Sequence, residues 1–94
     1  MPSDNPLFPL GTCVATPGAL EVLEEAGVLP ITLLARHVHG DWGDMDKEDC
    51  RANDHAIKDG SRIFSSYNLP TKGRIWVITE SSRETTTLLL PSQY

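Results

Sequence analysis

The spacing of hydrophobic residues changes near residue 60, from helical intervals before it to short β-branched and aromatic runs after it. Ala19, Leu20, Val22, Leu23 and Ala26 make one stripe of a helix that Thr16 caps, Pro17 opens and Gly27 stops; Glu21, Glu24 and Glu25 fall outside the stripe. Pro30 opens a second helical run to Val38. Its apolar residues Ile31, Leu34, Ala35 and Val38, with Leu33, predict a nearly buried helix that ends at Gly40, and Arg36 and His37 suit the negative pole of its dipole. A Gly-Asp-Trp-Gly turn is then expected to reverse the chain. Asp44 or Asp46 caps a third helix that runs to about residue 58, with Gly60 as its stop and Met45, Asp49, Ala52, Asn53, Ala56 and Ile57 on one face. That face is thinly hydrophobic. A buried Asn53 needs partners for its amide or costs about 1–3 kcal/mol, and the polar atoms of residues 37–44 are the expected partners.

After Gly60, residues 62–67, 74–79 and 85–90 read as strands, and the short connectors between them suit antiparallel neighbours. Thr12–Ala15 is a candidate fourth strand at an edge. Helices first and strands afterwards predict an α+β fold, with two to three N-terminal helices packed on a C-terminal antiparallel meander. The 94 residues form a single domain: an extended arm at 1–11 carrying Pro2, Pro6 and Pro9, a mainly helical layer at 12–59, and the sheet at 61–90. Leu7, Phe8 and Leu10 are placed to pin the arm.

Composition sharpens this picture. A hydrophobic share of 39% with 22% charged residues argues for a packed globule rather than a disordered chain. No apolar run approaches a membrane span and the first residues lack a signal-peptide pattern, so the expected location is cytoplasmic, with Cys13 and Cys50 as free thiols. The net charge of −5 is uneven: residues 41–59 hold seven acids against three bases, whereas residues 61–94 hold four bases against two acids. Direct binding to nucleic acid is disfavoured for the acidic half, and a protein with a basic surface is the expected partner.

The chemistry-bearing residues concentrate at 37–44. His37, His39 and Asp41, with Cys50 or His55, are residue types that ligate zinc, but no second ligand pair of standard spacing follows, and a helix-capping His37 beside an exposed His39 accounts for the same residues. A calcium loop started at Asp44 lacks the glycine at its sixth position and has His55 at its twelfth. There is no phosphate loop, nucleophile elbow or dinucleotide fingerprint, so the expectation is a protein that is not an enzyme and needs no cofactor. Trp42, between glycines, reads either as core or as a half-exposed anchor for a partner; Trp76 reads as core. The expected partner-binding residues are Asp41, Trp42, Asp44, Asp46, Glu48 and Asp49, and His37, Gly40, Gly43 and Asn53 are the expected structural motif.

The run from Leu33 through Arg36-His37-Val38-His39-Gly40-Asp41-Trp42-Gly43, together with Asp49, Asn53, residues 58–63, Ser66-Tyr67, residues 74–80 and residues 86–91, resembles a family of small bacterial proteins labelled plasmid-related. The likeness covers residues 30–94, with an RHxxGDWG core. The resemblance implies carriage on plasmids or other mobile elements, in the neighbourhood of anti-restriction genes, and assigns no residue a role. Combined with the acidic helix, it suggests an inhibitor of a host defence complex, of the anti-CRISPR or anti-restriction kind, whose acids imitate phosphates. The alternatives are a regulatory module of a plasmid protein and a metal-binding protein at His37, His39 and Asp41.

Overall fold

The computed structural model describes residues 5–94, so the first four residues of the expected arm, Pro2 among them, lie outside the described residues. In chain order the elements are β1 (Thr12–Ala15), α1 (Pro17–Ala26), α2 (Pro30–Val38), α3 (Lys47–Asp59), β2 (Ile63–Asn68), β3 (Arg74–Thr79) and β4 (Thr85–Leu89), followed by a 3₁₀ turn at Pro91–Gln93. The fold is α+β. The local stop and start signals act as the sequence predicts. Thr16 Oγ1 accepts the Ala19 N–H at 3.1 Å, Gly27 ends α1 at φ 70°, and Gly60 ends α3 at φ 83°. Of the two possible caps for α3, Asp46 is the one used, accepting the Asp49 N–H at 2.8 Å.

The sheet order is β1-β4-β3-β2. β2, β3 and β4 form the expected antiparallel meander, with Ser65 opposite Val77 and Val77 opposite Leu88. β1 is the fourth strand, but it pairs in parallel with β4, Thr12 opposite Thr85, so the sheet is mixed. A parallel pair needs a long crossover, and here the crossover is all the rest of the fold, from α1 to β3. The helices lie on one face in register with the strands: α1 against β4, α2 against β3, α3 against β2. Leu23, Leu33, Tyr67, Ile75, Val77 and Leu88 make the main core; Phe8, Trp42, Ala56 and Ile63 make a second one under α3.

All three helices are turned relative to the stripes expected of them. Leu20 is exposed in α1. In α2, Ile31 and Ala35 face solvent, and the inward face is Leu33, Leu34, His37 and Val38, because only that rotation lets His37 reach hydroxyls on the sheet. In α3 the inward residues are Cys50, Asn53, Ala56 and Ile57, while Asp49 and Ala52 are exposed. Residues 42–44 also differ from the expected reversing turn. They lie beside β2, where Gly43 forms a parallel bridge with Ser66.

Candidate functional site

The corner at 36–44 is built from main-chain geometry upward. Gly40 continues past α2 at φ 86°, and the Asp41 N–H returns to Arg36 O at 2.9 Å. Arg36 then pairs with the Asp41 carboxylate, Nε to Oδ2 at 2.6 Å, with its guanidinium 4.5 Å from the centre of the Tyr67 ring. The Arg36 hydrogen bond holds the Asp41 carboxyl below the usual carboxylate range, and the Tyr67 hydroxyl, pushed up to about 12 by burial, donates to Asp41 O at 2.6 Å. Gly43 sits at φ 78°, and a Cβ there would lie 2.2 Å from Ser66 O, so no other residue fits.

The two histidines and the aspartate do not converge. His39 Nδ1 faces Ala35 O at 2.7 Å on the surface, Asp41 faces Arg36, and His37 is fully buried. Among the described residues no group of three or more histidine, cysteine, aspartate or glutamate side chains is placed to hold a metal ion. His37 is thus neither a surface cap nor part of a ligand set. Its Nδ1 lies 2.5 Å from Ser65 Oγ and its Nε2 2.9 Å from Thr79 Oγ1; Thr79 Oγ1 is 2.8 Å from Thr86 Oγ1, which donates to Leu10 O at 2.7 Å. The last bond fixes the proton positions along the row. Thr86 spends its proton on Leu10, so Thr79 donates to Thr86, Nε2–H donates to Thr79, and Ser65 donates to Nδ1. Burial pushes the His37 pKa down to about 4, in keeping with a neutral ring. The sequence carries a signal for these partners that the helix reading passed over. Ser65, Thr79 and Thr86 share the inward parity of Ile63, Val77 and Leu88, one hydroxyl per strand.

Trp42 is core: it is 5% exposed, stacks on Phe8 at 6.2 Å between centroids, and donates through Nε1 to Asp54 at 3.2 Å. The reading of Trp42 as a half-exposed anchor is therefore corrected. Asn53 is buried as expected, but its partner is not the 37–44 corner. Its Oδ1 accepts the Phe64 N–H at 3.0 Å and its Nδ2 donates to Phe64 O at 2.6 Å, so the side-chain amide takes the place of a neighbouring strand. Ser66 continues the same edge by donating to Trp42 O and accepting from Asp44 N–H, and the Asn68 N–H donates to Asp44 Oδ2 at 2.8 Å. Phe64, Ser66 and Asn68 are the residues of β2 whose main-chain groups point away from β3. The corner and α3 together close that edge of the sheet.

What remains open is the outer surface of α3. Asp41, Asp44 and Asp46 are exposed but hold Arg36, Asn68 and the helix cap respectively, whereas Glu48 and Asp49 make no ion pair with another described residue. The exposed residues of the helix mix Lys47, Arg51, His55 and Lys58 with Glu48, Asp49, Asp54 and Asp59. Beside it a groove of about 470 Å³ runs between α3 and β2, with Met45, Ala52 and Phe64 as apolar lining and Asp49, Asp59 and Arg62 at its polar positions. Arg83, in the connector between β3 and β4, locks the far end of α3. At φ 62° it donates to Ala56 O at 2.9 Å and Ser61 O at 2.7 Å. No protein-family model matches this chain, and no curated protein or solved structure is detectably similar to it. No helix among the described residues is long and apolar enough to cross a membrane.

Proposed function

We propose that this chain is a non-catalytic protein-binding domain of mobile-element origin that inhibits a host defence complex, of the anti-CRISPR or anti-restriction kind, by covering a basic nucleic-acid-binding surface. The observation that carries the reading is that α3 presents Glu48 and Asp49 at its surface without an ion pair to another described residue, while the helix itself is held by Asn53, Asp46 and Arg83. Exposed carboxylates outside any ion pair attract a basic partner without losing side-chain contacts inside their own fold. The adjoining groove suits a lysine or arginine from that partner, with the alkyl stem along Ala52 and Phe64 and the charged head toward Asp49 and Asp59. The RHxxGDWG resemblance supports the mobile-element origin, and the corner that carries it supports the helix rather than touching the partner.

Glu48 and Asp49 can be reversed without breaking a side-chain contact, whereas Asp46 cannot, because it caps α3. The test is affinity purification from host lysate with wild type and with the Glu48→Lys/Asp49→Lys double variant, at low and high salt. The expected result is a nucleic-acid-binding complex that wild type retains at low salt, releases at high salt and releases to added nucleic acid, and that the double variant does not retain. A partner held equally by both proteins and indifferent to salt overturns the reading.

A further inference from the structure

The two edges of the sheet are treated differently. The β2 edge is closed at Phe64, Ser66 and Asn68, but β1 has nothing against its outer side among the described residues. In a parallel pair with Thr12 opposite Thr85, the Thr12 N–H reaches Glu84 O and the Thr16 N–H reaches Leu88 O, so Thr12, Val14 and Thr16 turn their main-chain groups toward β4. Cys13 and Ala15 therefore turn theirs outward. An exposed edge is a template for another strand, and β1, though only four residues long, carries neither lysine nor proline.

We propose that the β1 edge is the interface of a homodimer, in which two copies pair β1 antiparallel about a two-fold axis through Val14 and join their sheets into one of eight strands. The register follows from the available groups. Placing Cys13 opposite the second copy's Ala15 uses every outward main-chain donor and acceptor of β1 in four hydrogen bonds. Centring on Cys13 instead would call on Gly11, which at φ 67° has left the strand conformation. Charge points to a second copy rather than to a foreign chain of opposite sign. Residues 11–18 hold no charged side chain in a protein of net charge −5, so self-pairing brings together a stretch of main chain where the acidic molecule does not repel itself.

Four residues of paired strand fall short of the ~1,200–2,000 Å² that a specific interface buries. The same dyad supplies more contact. It lays the start of α1 of one copy beside residues 8–12 of the other, on the helical face of the joined sheet. There a groove of about 390 Å³, lined by Pro6, Phe8, Pro9, Leu10, Cys13 and Val38, is almost wholly apolar. Leu20, the α1 residue that the core leaves 46% exposed, is the side chain that fills it, and Val14, 44% exposed, meets its own copy on the opposite face. A contact of this limited size suits a weak, concentration-dependent dimer.

The test is sedimentation equilibrium from about 1 to 300 µM, where mass action moves a weak dimer through its midpoint. Wild type is expected to shift from monomer to dimer. Cys13→Pro removes an outward N–H and, of the internal hydrogen bonds, only the long one from Cys13 Sγ to Gly11 O at 3.9 Å, so it is expected to stay monomeric with an unchanged circular dichroism spectrum; Leu20→Asp, at an exposed position, is expected to raise the dissociation constant at least tenfold. In a Cys13→Ser/Cys50→Ser background, Val14→Cys is expected to cross-link on mild oxidation, since directly opposed Cβ atoms lie about 4.5–5.5 Å apart, and Thr12→Cys is expected not to. A protein that stays monomeric throughout overturns the proposal and leaves the edge to a foreign strand. A dimer indifferent to both Cys13→Pro and Leu20→Asp, or one that cross-links equally at positions 12 and 14, overturns it as well.

Discussion

At the scale of single residues, His37 shows how a polar side chain can be a core residue by having its hydrogen bonds assigned. With Ser65 donating to one ring nitrogen and Thr79 accepting from the other, a second ring proton has no acceptor unless Ser65 reverses. The pH dependence follows from the lowered pKa. Above pH ~6.5 the ring is neutral folded or unfolded; between ~6.5 and ~4 only the unfolded chain takes up the proton, so stability falls with pH by up to about 3 kcal/mol and levels off below that. Urea melts at pH 7.5 and 5.0 are expected to show about 2 kcal/mol of that loss in wild type and none of it in His37→Gln, once the slope common to both from the carboxylates is subtracted. Ser66 is the opposite case. Its main chain is fully bonded, but its buried Oγ has no partner among the described residues, so Ser66→Ala is expected to be neutral or to stabilise by up to about 1 kcal/mol in the same melts.

At the scale of elements, the boundaries were legible because they are set by neighbours in sequence: Thr16 and Pro17 before α1, Gly27 after it, Asp46 and Gly60 around α3. Rotation about each helix axis was not, because it depends on what lies across the interface. Apolar counting put Ile31 and Ala35 inward and His37 at a surface end, whereas three hydroxyls on the sheet reverse that choice. Asn53 was legible as buried, since it sits among Ala56 and Ile57, but its partner was not. Phe64 is eleven residues away on a strand edge that exists only after β2 has paired. Asn53→Leu is expected to cost about 2–4 kcal/mol, measured by denaturant midpoint, because it leaves Phe64 N–H and O buried without partners as well as losing two bonds. A neutral Asn53→Leu would remove the account of how α3 is attached.

At the scale of the whole molecule, the candidate site divides into a part that builds and a part that faces outward. The residues that stand out most in the sequence, from Arg36 to Gly43, are nearly all engaged inside the fold. The surface left over, Glu48, Asp49 and the groove beside Phe64, has no motif to announce it, since exposed acids on a helix look alike from sequence. The parallel pairing of β1 was equally hidden, because nothing near Thr12 indicates a partner more than seventy residues later.

That pairing also governs when the fold can form. Thr12 meets Thr85, Leu10 O meets Thr86, and Thr16 meets Gln93, so the two ends of the described chain are stitched together at three places. During synthesis β1 and all three helices are made before β4; β2 and β3, against which α3 and α2 pack, come in between, but β1 and α1 have no closing partner until β4. Local helices can flicker early, but the sheet that fixes their rotation closes only at the end. Contacts this distant in sequence make for slow, all-or-none folding. A ribosome-bound chain cut short before residue 85 would carry every chemically conspicuous residue of the protein, with Ser65 and Thr79 already made, and still lack Thr86, the hydroxyl that sets the direction of the row His37 joins.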